Sequence, residues 1–133
     1  QQAISTPVPD IGVYTGNDIY QVIAYLEKEN EHSIFNQLSD CKLIRWNDYA
    51  IDIIASSGGK TSGIKEYLKI NNIRREEIIA FGDAENDIDM LKYAQIGVAM
   101  GNASDCIKEI ADYITNSVDH NGIMEALVML KII

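Results

Sequence analysis

A short apolar run that ends in a glycine and several acidic residues constrains the fold of this chain more than any other feature. Ile78 to Phe81 are strand-forming residues, and Gly82 and Asp83 follow them directly before a helical pattern begins. A strand that passes straight into a helix is typical of a parallel α/β sheet, in which ligands bind beyond the carboxyl ends of the strands. We therefore expect Asp83 to lie at a ligand-binding edge of such a sheet.

Two carboxylates of this segment are placed to share one small volume. Asp87 follows Asp83 by about one helical turn, so both side chains can face the same side. Such oxygen ligands suit Mg²⁺, which keeps several waters and is often shared with a phosphate. We predict that Asp83 binds Mg²⁺ and that Asp87 reaches the ion through water or orients Asp83 and Lys60. The alternative for both aspartates is an acidic residue that is favoured by the positive end of a helix.

A glycine-rich loop supplies a cation for a phosphate. Lys60 follows two glycines in the segment 56–63, between an apolar strand and a helical segment. A point charge at the head of a helix is a common phosphate anchor. We predict that Lys60 binds phosphate, and the alternative is an exposed, flexible lysine.

Four motifs in a fixed order connect the chain to a known family. They are Gly58-Gly59-Lys60, Gly82-Asp83-x-x-Asn86-Asp87-x-x-Met90, Gly97-Val98-Ala99-Met100-Gly101-Asn102-Ala103 and Asp119-His120-Asn121-Gly122-Ile123. With these motifs the chain resembles the haloacid dehalogenase-like superfamily, in its Cof-type branch. The resemblance covers nearly the whole chain.

The resemblance implies a Mg²⁺-dependent hydrolase of small phosphomonoesters such as sugar phosphates. It implies that an aspartate attacks phosphorus, that an aspartyl-phosphate forms and that water cleaves it. By the same resemblance Asn86 contacts the phosphate, and a helix-capping role is its alternative. Gly82 is expected to allow a tight turn, and Gly101 and Asn102 are expected to support loops at the site. For Asn102 we favour capping of the next helix over contact with substrate.

The nucleophile that the resemblance implies is missing from these residues. Family members carry an Asp-x-Asp-Gly-Thr/Ser motif, whose first aspartate is the nucleophile and whose second is the general acid/base. No such motif occurs in the 133 residues, and Asp87-Ile88-Asp89 is followed by Met90 within a predicted helix. We expect both aspartates to lie upstream of Gln1, so that this chain is the C-terminal half of an enzyme and is inactive alone.

The pattern of elements changes near residue 58, which predicts two domains in an α/β chain. Residues 1–57 have a β-α-β-β pattern that predicts the C-terminal part of an α+β cap domain, with an irregular connector at 1–18. Residues 58–133 alternate helix and strand, which predicts the C-terminal half of a doubly wound, Rossmann-like parallel sheet. The predicted strands lie at 19–26, 42–46, 49–55, 77–82, 96–100 and 113–115, and the main helices at 61–72, 86–94, 103–111 and 121–131.

Charge and composition bear on the partners of the chain. A net charge of −9 argues against a nucleic-acid partner or an anionic membrane. No apolar run approaches the roughly 20 residues that a transmembrane helix needs, and we expect a cytoplasmic protein. Since the predicted strand at 78–81 would pair with a strand outside this chain, we expect self-association or the missing N-terminal half to be needed for order.

Two alternatives to a phosphatase stay open at this point. One is a non-catalytic α/β binding or signalling domain, such as a receiver-like module. Such a module would have its lysine after the acidic residues, whereas Lys60 precedes them here. The other is a degenerate relative that has lost its nucleophile.

Overall fold

The computed structural model describes residues 12–133, apart from the side chain of Asn47. Most of the connector expected at residues 1–18, with Pro7 and Pro9, therefore lies outside the described residues. None of the helices in the described part of the chain is long and apolar enough to cross a membrane.

The first sheet is antiparallel and has one face covered by a short helix. Its strands are β1 (Gln21–Tyr25), β2 (Cys41–Asn47) and β3 (Ala50–Ala55), the helix is α1 (Glu31–Phe35), and β3 is the central strand. Arg45 of β2 pairs with Glu31 of α1 at 2.6 Å, so α1 lies against the face that carries Arg45.

The opposite face of the first sheet carries the side chains that concern the site. Lys42 and Ile44 of β2 are cross-strand partners of Ile54 and Asp52 of β3. Because directly paired residues of an antiparallel sheet share a face, these four side chains lie on the face away from Arg45.

The second sheet is parallel and is interleaved with helices. Its strands are β4 (Ile79–Gly82), β5 (Ile96–Ala99) and β6 (Tyr113–Ile114) in that spatial order, and its helices are α2 (Lys60–Asn71), α3 (Ile88–Tyr93), α4 (Asp105–Lys108) and α5 (Gly122–Met129). Leu91 of α3 and Ile107 of α4 are almost fully buried in one core with small alanines of the strands and loops. The predicted α/β class is confirmed, whereas the division into domains at 1–57 and 58–133 stays a prediction.

Several elements are shorter than the sequence predicts. The strand predicted from residue 77 begins at Ile79, because Arg75–Glu77 forms a 3-10 turn in which Glu77 accepts a hydrogen bond from the backbone N–H of Arg74 at 2.9 Å. The helix predicted at 103–111 contains only Asp105–Lys108 in α-helical conformation.

One edge of β4 has no strand partner among the described residues. β4 pairs with β5 alone. Beside it lies a groove of about 720 Å³ that is lined mainly by apolar side chains of α2 and β4, among them Ile64, Leu68, Ile79 and Phe81. An open strand edge next to an apolar groove can recruit another chain.

We predict that this chain self-associates through the β4 edge when no other polypeptide covers it. Light scattering at micromolar concentration is expected to detect oligomers, and Ile79→Lys is expected to reduce them because a charge on an edge strand opposes pairing. The control is Ile70→Lys, at an exposed position of α2. Circular dichroism checks the fold of both variants, and a folded wild-type monomer would contradict the prediction.

Candidate functional site

Asp87 is the buried centre of the candidate site. Its side chain is only 5% exposed, and Oδ1 forms an ion pair with the ammonium group of Lys60. Oδ2 accepts hydrogen bonds from the backbone N–H groups of Asp83 and Ala84, at 3.1 and 3.2 Å. Both carboxylate oxygens are therefore engaged, and Asp87 holds Lys60 and the Asp83 loop in fixed positions.

The environment of Asp87 favours its charged form. Burial by itself would raise the pKa of this carboxyl group. The hydrogen bonds from Lys60 and from the two backbone N–H groups, together with the positive charge of Lys60, outweigh that effect and hold the pKa of Asp87 below its usual range.

Lys60 occupies the first position of α2 and reaches across to the loop after β4. Gly59 precedes it with a φ of 112°, in a region that L side chains rarely adopt. The Nζ of Lys60 lies 3.4 Å from Oδ1 of Asn86 and pairs with Asp87, while the side chain stays 49% exposed. An ammonium group has three N–H donors, so one donor is available to a ligand.

Asp83 is exposed at the carboxyl end of β4 and is held by one side chain. Its Oδ2 accepts a hydrogen bond from Nδ2 of Asn102 at 2.8 Å. Oδ1 of Asn102 in turn accepts a hydrogen bond from the backbone N–H of Val118 at 3.1 Å. No hydrogen bond within the described residues engages Oδ1 of Asp83, and this oxygen is available to a ligand.

The expected capping role of Asn102 is wrong. α4 begins at Asp105 after Ser104, and Asn102 makes no cap hydrogen bond to it. Its amide group instead donates a hydrogen bond to the carboxylate of Asp83 and accepts one from the backbone N–H of Val118. Both partners are far from Asn102 in the sequence.

Gly101 and Gly122 enclose the backbone segment 115–117. A Cβ at Gly101 would lie 2.7 Å from the backbone nitrogen of Ser117, and a Cβ at Gly122 would lie 2.0 Å from the backbone oxygen of Asn116. Neither position has room for a side chain. Both glycine motifs of the sequence therefore pack against segment 115–117. The next residue is Val118, whose backbone N–H binds Asn102.

Gly82 is glycine for a reason other than the expected tight turn. It is the last residue of β4, and the positive-φ glycines of the described residues are Gly16 and Gly59. A Cβ at Gly82 would lie 2.6 Å from the Cβ of Asp87. The absence of a side chain thus lets Asp87 pack against the end of the strand.

The donor groups fit a Mg²⁺ site for which the described residues supply only a minority of the ligands. Among the described residues no group of three or more His, Cys, Asp or Glu side chains is placed to hold a metal ion. Asp83 offers a free carboxylate oxygen, the kind of hard donor that Mg²⁺ accepts together with water and phosphate. Both oxygens of Asp87 already accept hydrogen bonds, which favours a role in orienting Lys60 and the Asp83 loop over direct metal ligation.

Four predicted residues converge after β4, and two neighbours of the site were missed. Lys60, Asn86 and Asp87 are in direct contact, and Asp83 joins them through its backbone. Asp52 and Lys42 line clefts that Lys60 and Asn86 also line. The alternation of side chains along β3 places Asp52 on the face away from the apolar residues. Nothing in the sequence indicates that the face with Asp52 lies near Lys60.

The order of these groups along the chain and their place in the fold agree with one family. A profile of the haloacid dehalogenase-like hydrolases matches residues 5–127. This chain belongs to that family. The resemblance to its Cof-type branch is confirmed, and the receiver-like alternative is set aside.

Individual relatives of this haloacid dehalogenase-like chain are phosphatases by name. The 5-amino-6-(5-phospho-D-ribitylamino)uracil phosphatase YitU of Bacillus subtilis strain 168 is 35% identical, over 90% of this chain and 47% of its own length. BT1666 from Bacteroides thetaiotaomicron, a phosphatase of the superfamily, has a TM-score of 0.83 at 35% identity, over 88% of this chain and 44% of that one. The subclass IIB sugar phosphatase BT4131 has a TM-score of 0.82 at 36% identity, over 88% and 45%. The chain thus spans less than half the length of these relatives.

The charge of Asp87 is expected to stabilise the fold in a pH-dependent way. Asp87→Asn should lower the free energy of unfolding by about 2 kcal/mol at neutral pH, because hydrogen bonds to a charged group are lost. A lowered pKa stabilises the folded state above the ordinary aspartate pKa of about 3.9, and the effect disappears as the pH falls through the pKa of the folded state.

Urea unfolding of wild type and Asp87→Asn between pH 7 and pH 3 measures this difference. It should be constant down to about pH 4 and then shrink. Asp105→Asn, at an exposed helix start, is the control and should change stability little at any pH. A difference for Asp87→Asn that persists unchanged to pH 3 would refute the assignment.

Proposed function

We propose that this chain supplies the phosphate- and Mg²⁺-binding half of a phosphomonoester hydrolase that acts on small phosphorylated metabolites such as sugar phosphates. The main supporting observation is Asp87, whose two carboxylate oxygens bind the ammonium group of Lys60 and the backbone N–H of Asp83 and so tie the lysine to the loop that carries Asp83. A phosphate dianion needs cations at close range in a protein of net charge −9.

Each residue has a separate task in this proposal. Lys60 and Asn86 bind the phosphate oxygens and offset the charge on the transferring group. Asp83 holds Mg²⁺, which would gather the nucleophile and the phosphate oxygens when bound. Asn102 orients Asp83, and Asp87 orients Lys60.

The covalent step needs a nucleophile that these 133 residues do not contain. The family resemblance supplies an aspartate whose carboxylate oxygen bonds to phosphorus while the alcohol leaves with a proton from a second aspartate. Water then cleaves the aspartyl-phosphate and releases inorganic phosphate. No Asp-x-Asp-Gly-Thr/Ser motif occurs in the chain, so we assign both aspartates to polypeptide outside it.

The proposal extends to partners and location. The phosphatase names of YitU and of the sugar phosphatase BT4131 support a small phosphorylated substrate. The negative charge supports neither a nucleic-acid nor a membrane partner, and a cytoplasmic location stays a prediction.

Hydrolysis of p-nitrophenyl phosphate by a polypeptide that joins this chain to its nucleophile segment tests the proposal. Activity should require Mg²⁺, and Asp83→Asn should lower kcat by about 100-fold or more and raise the Mg²⁺ concentration needed. Asp105→Asn should leave both unchanged. Full activity of Asp83→Asn, or activity in excess chelator, would overturn the proposal, and a folded but inactive polypeptide would favour the degenerate relative instead.

A further inference from the structure

A cleft rich in lysine opens beside the candidate site. It has a volume of about 430 Å³ and lies between β2, the loop before α2 and the helix α3. Its charged lining residues are Lys42, Lys60, Lys65, Lys92 and Asp89. Four lysines against one aspartate are notable in a protein of net charge −9.

Lys42 belongs to this cluster but has no role in the proposed phosphate site. It is half-buried on β2, and its Nζ lies 3.3 Å from the position that a Cβ of Gly59 would occupy. Its ammonium group therefore sits against the loop that begins α2 at Lys60. The ion pairs of the described residues do not include Lys42, and a half-buried cation without a carboxylate partner favours an anionic ligand.

A hydroxyl group in the same cleft also lacks a partner. Oγ1 of Thr61 is buried, and it has no hydrogen-bond partner among the described residues. Buried polar atoms are nearly always hydrogen-bonded in folded proteins. A rotamer change that brings this hydroxyl into the cleft would let an oxygen atom of a ligand satisfy it.

We propose that this cleft binds a second anionic group of the substrate, a carboxylate or a second phosphate, with Lys42 as its principal contact. The inference rests on the proposed function, because Lys60 and Asn86, the proposed phosphate contacts, also line this cleft. The preferred substrates are then phosphomonoesters that carry a second anionic group, such as phosphorylated acids or bisphosphates. Lys42 is a specificity-determining residue in this scheme.

A matched pair of ligands tests the inference on the polypeptide that joins this chain to its nucleophile segment, with the nucleophilic aspartate replaced by asparagine to prevent turnover. 2-Phosphoglycerate carries a carboxylate where glycerol 2-phosphate carries a neutral hydroxymethyl group. In ligand-observed NMR titrations with Mg²⁺ present, we expect the phosphoglycerate to bind about tenfold more tightly. Lys42→Met should abolish this preference, and Lys42→Arg should keep it because the charge is retained.

The control variants separate this inference from the proposed function. Lys69→Met removes an exposed lysine that pairs with Glu66 and does not line the cleft, and should keep the preference. Lys60→Met should weaken both ligands alike. Equal binding of the two ligands, or a preference that survives in Lys42→Met, would overturn the inference and leave the proposed function intact if Lys60→Met weakens both. Binding of neither ligand, or no effect of Lys60→Met, would overturn both.

Discussion

The 133-residue chain alone is expected to hydrolyse p-nitrophenyl phosphate no faster than Mg²⁺-containing buffer does. In the proposed site Lys60 and Asn86 contact the phosphate and Asp83 holds Mg²⁺, whereas the nucleophile is assigned to polypeptide outside the chain. Each decade of lost rate corresponds to about 1.4 kcal/mol of barrier, and removal of a covalent nucleophile commonly costs several decades.

The matched measurement uses the same assay on a polypeptide that includes the nucleophile segment. Activity there and none in this chain would locate the missing chemistry outside the 133 residues. Turnover by this chain alone would refute the prediction, provided that mass spectrometry shows no other polypeptide and that Asp83→Ala abolishes the turnover.

Replacement of Gly122 by alanine is expected to lower the free energy of unfolding by about 3 kcal/mol or more. The new Cβ would lie 2.0 Å from the backbone oxygen of Asn116. A backbone atom cannot move aside as the end of a flexible side chain can, so either α5 or the segment 115–117 must shift. Since that segment leads to Val118, whose N–H binds Asn102, the shift should also disturb Asp83.

Gly63→Ala is the matched control for Gly122→Ala. Gly63 lies inside α2, and a Cβ there would meet no atom within 4 Å. Alanine favours the helix over glycine by about 1 kcal/mol, so this variant should be slightly more stable than wild type. Urea unfolding of both variants measures the two effects, and equal stability of Gly122→Ala and wild type would contradict the packing described above.

Loss of Asn102 should affect the proposed Mg²⁺ site more than the fold. Its amide group links Asp83 to the backbone of Val118, but it is exposed at the rim and contributes little to the core. The sequence indicates only a polar residue after a glycine at this position, which is equally typical of a helix cap.

The sequence by itself determined the type and order of the main elements, though not their bounds, and the local geometry of the site. Strand and helix periods place Asp83 and Asp87 at one strand end, and the glycine loop places Lys60 at the start of a helix, because these relations depend on neighbours along the chain. The contact of Lys60 with Asp87 spans 27 residues, and its prediction depended on both motifs lying at the same edge of a parallel sheet.

Only the tertiary structure decided which oxygen of which aspartate is free. The sequence favours Asp83 as the ligand and leaves two roles open for Asp87. In the structure Lys60 and the backbone bind both oxygens of Asp87, while Asn102 binds one oxygen of Asp83. The approach of Lys42 from the antiparallel sheet is likewise invisible in the sequence. Hydrogen-bond competition and contact between sheets depend on residues far apart in the chain, and no local pattern encodes them.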